Sequence, residues 1–172
     1  MRVTVPEGWH PLLYIQTEIG SKDLRDTLRE ISHVLFYNGS TTVTPQEREA
    51  VRYYASWMMG CNSCSQFRAP RDLPDYPGDP ISDEWYDRIP EYRTWDGFTE
   101  RERLAIDFTQ RFLTDHVALA ADDDIWDRMH EHFTEVEIQD LSIMSSLMYA
   151  SNLLRETLVA TPGSSCAVPT PS

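Results

Sequence analysis

Three Thr-x-x-Glu segments, Thr44 to Glu47, Thr99 to Glu102 and Thr134 to Glu137, each head an apolar pattern of helical period. In such a capping box the threonine hydroxyl accepts from the amide three residues on, and the glutamate reaches back to the cap amide. Two of the donors orphaned at a helix start are thereby satisfied. Helices are expected from about Pro45, from Thr99 to about Asp115, and from Thr134 to about Val159, the last roughly 37 Å long at 1.5 Å per residue. Pro45 reinforces the first, because proline suits the opening position of a helix.

Other segments carry the same period. Leu24, Leu28, Ile31 and Leu35 set a helix over Asp23 to Tyr37, with Asn38-Gly39 as its stop. Ser82 opens a short helix that Pro90 ends, and the aromatics Trp85, Tyr86, Tyr92 and Trp95 are expected around an active-site layer or a subunit contact. Asp122 to Asp124 cap a further helix with Ile125, Trp126, Met129 and Phe133 inward. A short helix is expected within WHPLLYIQTEI, and the prolines of APRDLPDYPGDP impose a surface loop, either a pocket wall or a plain connector. Strand-like alternation does not persist beyond Val3 to Val5 and Thr41 to Val43, so the class is all-α. One helical domain is expected over 1–160, with a disordered tail over 161–172.

A net charge of −13 argues against nucleic acid and anionic membrane as partners, since both select for clustered Lys and Arg. MRVTVPEGW lacks the apolar core of a secretory signal and no run approaches a membrane span, so a cytoplasmic protein is expected. In a reducing compartment a CxxC pair reads as redox or metal chemistry before structural cross-linking. Zinc in a structural site wants four protein ligands, and only two cysteines are local. His130 and His132 are two apart and project to different helix sides, and no metal site is expected.

Chemistry concentrates between Thr44 and Arg68. Val51, Ala55, Met58 and Met59 form an apolar ridge on the first capped helix, with Glu49, Tyr53, Ser56 and Gly60 on a separate stripe. Gly60 then breaks or bends the helix ahead of Cys61-Asn62-Ser63-Cys64. A new helix starting there places both thiols at an N-terminus, where unpaired amides favour thiolate, and Arg68 adds positive charge one turn after Cys64.

The proline-started helix with an internal Glu, the small-residue turn, the CxxC pair and the following helix resemble the carboxymuconolactone decarboxylase superfamily, and within it the alkyl-hydroperoxidase D-like branch. The likeness continues through GFTERERLAIDFTQRF and HFTEVEIQDLSIMSSLMYASNLLRETL. It implies an all-helical subunit assembling into trimers, hexamers or dimers, and a peroxiredoxin-type oxidoreductase served by a thiol reductant. It implies Cys64 as the peroxidatic thiol, Cys61 as the resolving thiol and Glu49 as the acid of a proton relay, with no cofactor beyond a Cys61–Cys64 disulfide. Where that branch carries histidines this chain has Ser63 and Arg68. Arginine stays protonated, so Arg68 serves as a thiolate-stabilising or substrate-binding cation and not as a shuttle.

Geometry constrains the role of Glu49. Along one straight helix it would lie about 18 Å from Cys61. Either the chain reverses near Gly60, or another part of an oligomer brings an acid to the thiols. Two other readings remain open: a lyase or decarboxylase on a small acidic substrate, with Arg68 or Arg71 on its carboxylate, and a non-enzymatic helical assembly or metal-binding module. Apolar residues of the last helix, from Ile138 to Leu158, spread over more than one face, which fits either an oligomer contact or a central helix.

Overall fold

The computed structural model describes Thr4, Pro6, Glu7 and residues 20–37 and 41–158, without the side chains of 62, 63, 155 and 156. The expectations for WHPLLYIQTEI, Val3 to Val5, Asn38-Gly39 and the tail fall outside these residues. The elements are α1 (Lys22–Phe36), α2 (Pro45–Met58), α3 (Asn62–Gln66), α4 (Ala69–Asp72), α5 (Asp83–Asp87), a 3-10 turn (Ile89–Glu91), α6 (Glu100–Thr114), α7 (His116–Ala120), α8 (Asp123–His132) and α9 (Glu135–Leu158). Among the described residues there is no strand, and Thr41 to Val43 are bends.

All three capping boxes form. Thr44 accepts from the Glu47 amide at 3.2 Å, Thr99 from Glu102 at 3.2 Å and Thr134 from Glu137 at 3.3 Å, and each glutamate accepts from its cap amide in return. Arg101, inside the box of α6, ties the other two together: it donates to Glu47 at 2.6 Å, to Glu137 at 3.0 Å and to the His132 carbonyl that ends α8, with its guanidinium over the Phe133 ring. The starts of α2, α6 and α9 therefore meet at one cation.

Helix α2 packs against α1, α3, α6 and α9. Every residue from Glu47 to Ser56 is buried, so the stripe carrying Glu49 lies as deep as the apolar ridge. On one side Val51 joins Leu104, Phe108, Ile125, Met129, Leu141 and Met144; on the other Ala50, Tyr53 and Tyr54 meet an aromatic layer of Trp85, Tyr86, Tyr92 and Phe98. The aromatics after Ser82 thus cover the acid-bearing face of α2. Two local expectations are revised. Ala69–Asp72 is one helical turn inside the proline-rich segment, because Pro70 stands at its first positions, where no amide is needed. Helix α1 leaves Leu24, Leu28 and Ile31 exposed and buries only Leu35 and Phe36 at its end.

Two buried carboxylates, Asp107 and Glu137, make this arrangement acid-sensitive. Burial acts to raise Asp107, but hydrogen bonds from Tyr92 and Arg93 and the charge of Arg111 outweigh it and leave it below its ordinary value. At Glu137, burial is likewise outweighed by the Thr134 amide, Arg101 and the Thr134 hydroxyl. Both folded values lie below the unfolded ones, so their contribution is complete above the unfolded values and is lost as pH falls through the folded ones. Urea denaturation followed against pH should show stability falling below about pH 4, with a shallower fall in an Asp107→Asn, Glu137→Gln double variant. An acid limb identical in both proteins would contradict this account.

Candidate active site

Helix α2 stops at Met58, and Gly60 turns the chain with φ of 68°, a left-handed conformation that glycine adopts without the Cβ penalty. The Cys61 amide bonds back to the Ser56 carbonyl at 2.9 Å, and the Cys61 carbonyl accepts from Ser65 at 2.9 Å to begin α3. Helix α3 then runs back along α2, the chain reversal near Gly60 that is one of the two arrangements the Glu49 spacing leaves open. Cys61 is its N-cap, although a single helical turn carries few aligned dipoles. The sulfurs of Cys61 and Cys64 lie 2.6 Å apart; Cys61 is 1% exposed and Cys64 is partly exposed. Asn152, from the last turns of α9, has its amide oxygen 3.0 Å from the Cys64 sulfur.

Glu49 reaches this segment through Arg52. Arg52 donates to both oxygens of Glu49, at 2.6 and 2.7 Å, and sends two further N–H donors to the carbonyls of Cys64 at 2.9 Å and Phe67 at 2.8 Å. These carbonyls lie at the open end of α3 and just beyond it, where no further helical amide follows. Glu49 accepts in addition from the Tyr86 hydroxyl at 2.8 Å and the Ala69 amide at 3.2 Å. Burial works against the charge of Arg52, but Glu49, through charge and hydrogen bonds, overrides it and holds Arg52 firmly protonated. Tyr86 keeps its proton well beyond its usual range, through burial first and then the charge and hydrogen bond of Glu49.

Arg68 lies on the same network from the other side. Its guanidinium stacks 4.0 Å from the Tyr86 ring centroid and 4.7 Å from that of Tyr53, and it donates to the Ser65 and Phe67 carbonyls. Arg71 is exposed and pairs with Asp72 at 2.7 Å. Leu73, Pro74 and Asp75 of the proline-rich segment form one wall of a cavity of about 380 Å³, with His33 and Tyr37 opposite. Tyr37 also belongs to the site: burial raises its hydroxyl, with Arg52 opposing and Glu49 and Cys64 adding to the rise. Among the described residues, no three His, Cys, Asp or Glu side chains are grouped to hold a metal ion.

Cys61, Cys64, Glu49 and Arg68 are thus brought into one connected region together with Tyr86, one of the aromatics expected around such a layer, and with Arg52, Tyr37 and Asn152 as members that sequence reasoning missed. Arg52 stands one turn after Glu49, a spacing visible in the sequence. Asn152 had only its polarity among the apolar residues of the last helix as a signal, and Tyr37 had none.

No family model and no curated protein matches the sequence. Among solved structures, the chain is similar to a crystal structure from Agrobacterium tumefaciens of a protein of unknown function, provisionally described as an antioxidant-defence protein AhpD. The TM-score is 0.68 at 16% identity, over 86% of this chain and 94% of that chain. The chain therefore has the all-helical AhpD-like fold. Among the described residues no helix is long and apolar enough to cross a membrane.

The Glu49–Arg52 pair is buried, so removing one partner strands the other's charge. Glu49→Ala should cost about 3–5 kcal/mol of unfolding free energy in urea denaturation, and a Glu49→Leu, Arg52→Met double variant should lose less than the two single variants summed. A Glu49→Ala protein as stable as its parent would contradict the pairing.

Proposed function

We propose that the protein is a cysteine-based oxidoreductase that reduces a peroxide, or exchanges disulfides, through Cys64 and Cys61. The observation that carries this reading is the pair of sulfurs 2.6 Å apart, with Cys64 partly exposed and Cys61 buried behind it. The partly exposed cysteine suits attack on an incoming substrate, and the buried one suits the resolving step. In the first step the Cys64 thiolate attacks one peroxide oxygen, the O–O bond breaks, and the leaving alkoxide takes a proton from solvent to depart as alcohol. Cys64 becomes a sulfenic acid. Cys61 then attacks the Cys64 sulfur, an S–S bond forms, and the sulfenic oxygen leaves as water with the Cys61 proton. A dithiol reductant returns two electrons and two protons to restore both thiols.

In this reading Glu49 acts as a positioning residue, holding Arg52 on the Cys64 and Phe67 carbonyls. Arg68 brings a second cation to the same segment through the Ser65 and Phe67 carbonyls. The AhpD-like fold and the antioxidant-defence description of the Agrobacterium protein support the same class. The apolar residues left exposed on α1 (Leu24, Leu28, Ile31) and α9 (Leu153, Leu154) support a homo-oligomer, the dimer, trimer or hexamer that the resemblance implies, since a second copy would cover them. A reducing cytoplasm is the compartment in which such a dithiol would cycle.

Cys64→Ser should abolish thiol-dependent peroxide consumption, whereas Cys61→Ser should retain a single turnover and accumulate sulfenic acid. Peptide mass spectrometry after substoichiometric oxidant should find a Cys61–Cys64 disulfide. An undiminished rate in Cys64→Ser would end this assignment.

A further inference from the structure

Asn152 is completely buried, and its amide is divided between a satisfied and an unsatisfied end. The oxygen lies 3.0 Å from the Cys64 sulfur, while the amide nitrogen Nδ2 has no hydrogen-bond partner. The present arrangement suits a thiol, whose S–H donates to an oxygen. A thiolate has no proton to give and accepts only. Half a turn about the terminal torsion exchanges the two ends of an amide, and at Asn152 it would bring Nδ2 to the sulfur. The orphaned end would then be a carbonyl, which tolerates burial without a partner better than an N–H does. The stranded donor is therefore best satisfied when Cys64 ionises, since a thiolate is a strong acceptor and a neutral thiol sulfur a weak one.

We propose that Asn152 is a positioning residue for Cys64, whose side-chain amide turns to donate Nδ2–H to the Cys64 thiolate and so favours ionisation of that sulfur. The proposal rests on the thiol-chemistry reading only in giving this ionisation a use. On ionisation the Cys64 proton passes to solvent, and the electron pair stays on sulfur as the acceptor of the new hydrogen bond. Among the described residues, the other titratable or charged groups around Cys64 are Cys61 at the start of α3, Arg52 and Glu49 on α2, Arg68 just beyond α3, and Tyr37 at the end of α1. Arg52 and Glu49 neutralise each other, Arg68 directs its N–H groups to the Ser65 and Phe67 carbonyls, and Tyr37 retains its proton, so Asn152 is the neutral donor that α9 supplies beside these groups.

The test is the pH dependence of iodoacetamide labelling at Cys64, resolved by peptide mass spectrometry on the reduced full-length chain. Asn152→Ala should raise the apparent pKa of Cys64 by about one unit, a roughly tenfold loss of thiolate at pH values below it. Asn152→Asp should raise it further, because a carboxylate accepts without donating and adds like charge. A Cys64 pKa unchanged in a folded Asn152→Ala protein would overturn the proposal. Should the variants fail to fold, the side-chain amide resonances of Asn152 in the unsubstituted protein decide the matter. They should move with pH at the Cys64 pKa and stop moving in Cys64→Ser; resonances indifferent to that titration would refute it. None of these measurements involves peroxide or disulfide formation, so a failure of the redox assignment and a failure at Asn152 are told apart.

Discussion

The buried pair of Glu49 and Arg52 is the interaction on which the geometry of the thiols depends. Neither charge is tolerable alone at that depth, and each is held by more than the other: Glu49 by Tyr86 and the Ala69 amide, Arg52 by the carbonyls of Cys64 and Phe67. The consequence is mechanical. A five-residue helix such as α3 has little cooperativity of its own. Its end is pinned to α2 by two charge-assisted hydrogen bonds, which set the depth at which Cys64 sits. The aromatic layer of Trp85, Tyr86, Tyr92 and Phe98 completes the enclosure by excluding water from the carboxylate.

A second constraint supports the first from the far end of α2. Arg101 joins the glutamates of two capping boxes from a position inside the third, so the starts of α2, α6 and α9 are registered against one another. That registration has a distant effect. Asn152 sits near the end of α9, a helix of 24 residues anchored at its start by Thr134, Glu137 and Arg101, and arrives within hydrogen-bond distance of Cys64. The two ends of the bundle thus have separate tasks, one fixing helix register and the other holding the sulfurs.

The AhpD-like fold frames the chemistry without dictating its details. Arg68 stands where the resembling branch carries a histidine, and its stacking on Tyr86 and Tyr53 gives it a place in the network that supports Glu49. An arginine there supplies fixed charge and geometry but no exchangeable proton at neutral pH. In the proposed chemistry proton movement at Cys64 then uses other groups or solvent, and the partial exposure of that residue leaves solvent available.

Much of the fold was legible because local chemistry carries it: the capping boxes, Pro45, Ser82 and the acidic cap at Asp122 each name a helix start through hydrogen bonds made within a few residues. The CxxC spacing likewise brings two sulfurs together within one turn, whatever surrounds them. What local chemistry could not determine is which side of a helix faces what. The apolar ridge of α1 is exposed from Leu24 to Ile31, and the stripe of α2 that carries Glu49 is buried, because burial is decided by neighbours distant in sequence. The role of Glu49, the partners of Arg68 and the approach of Asn152 to Cys64 belong to the same category. Sequence alone determined the helices and the paired thiols, since those follow from contacts a few residues long; only the tertiary structure decided which groups surround the thiols, since that environment is assembled from α1, α2 and α9 by packing across the bundle.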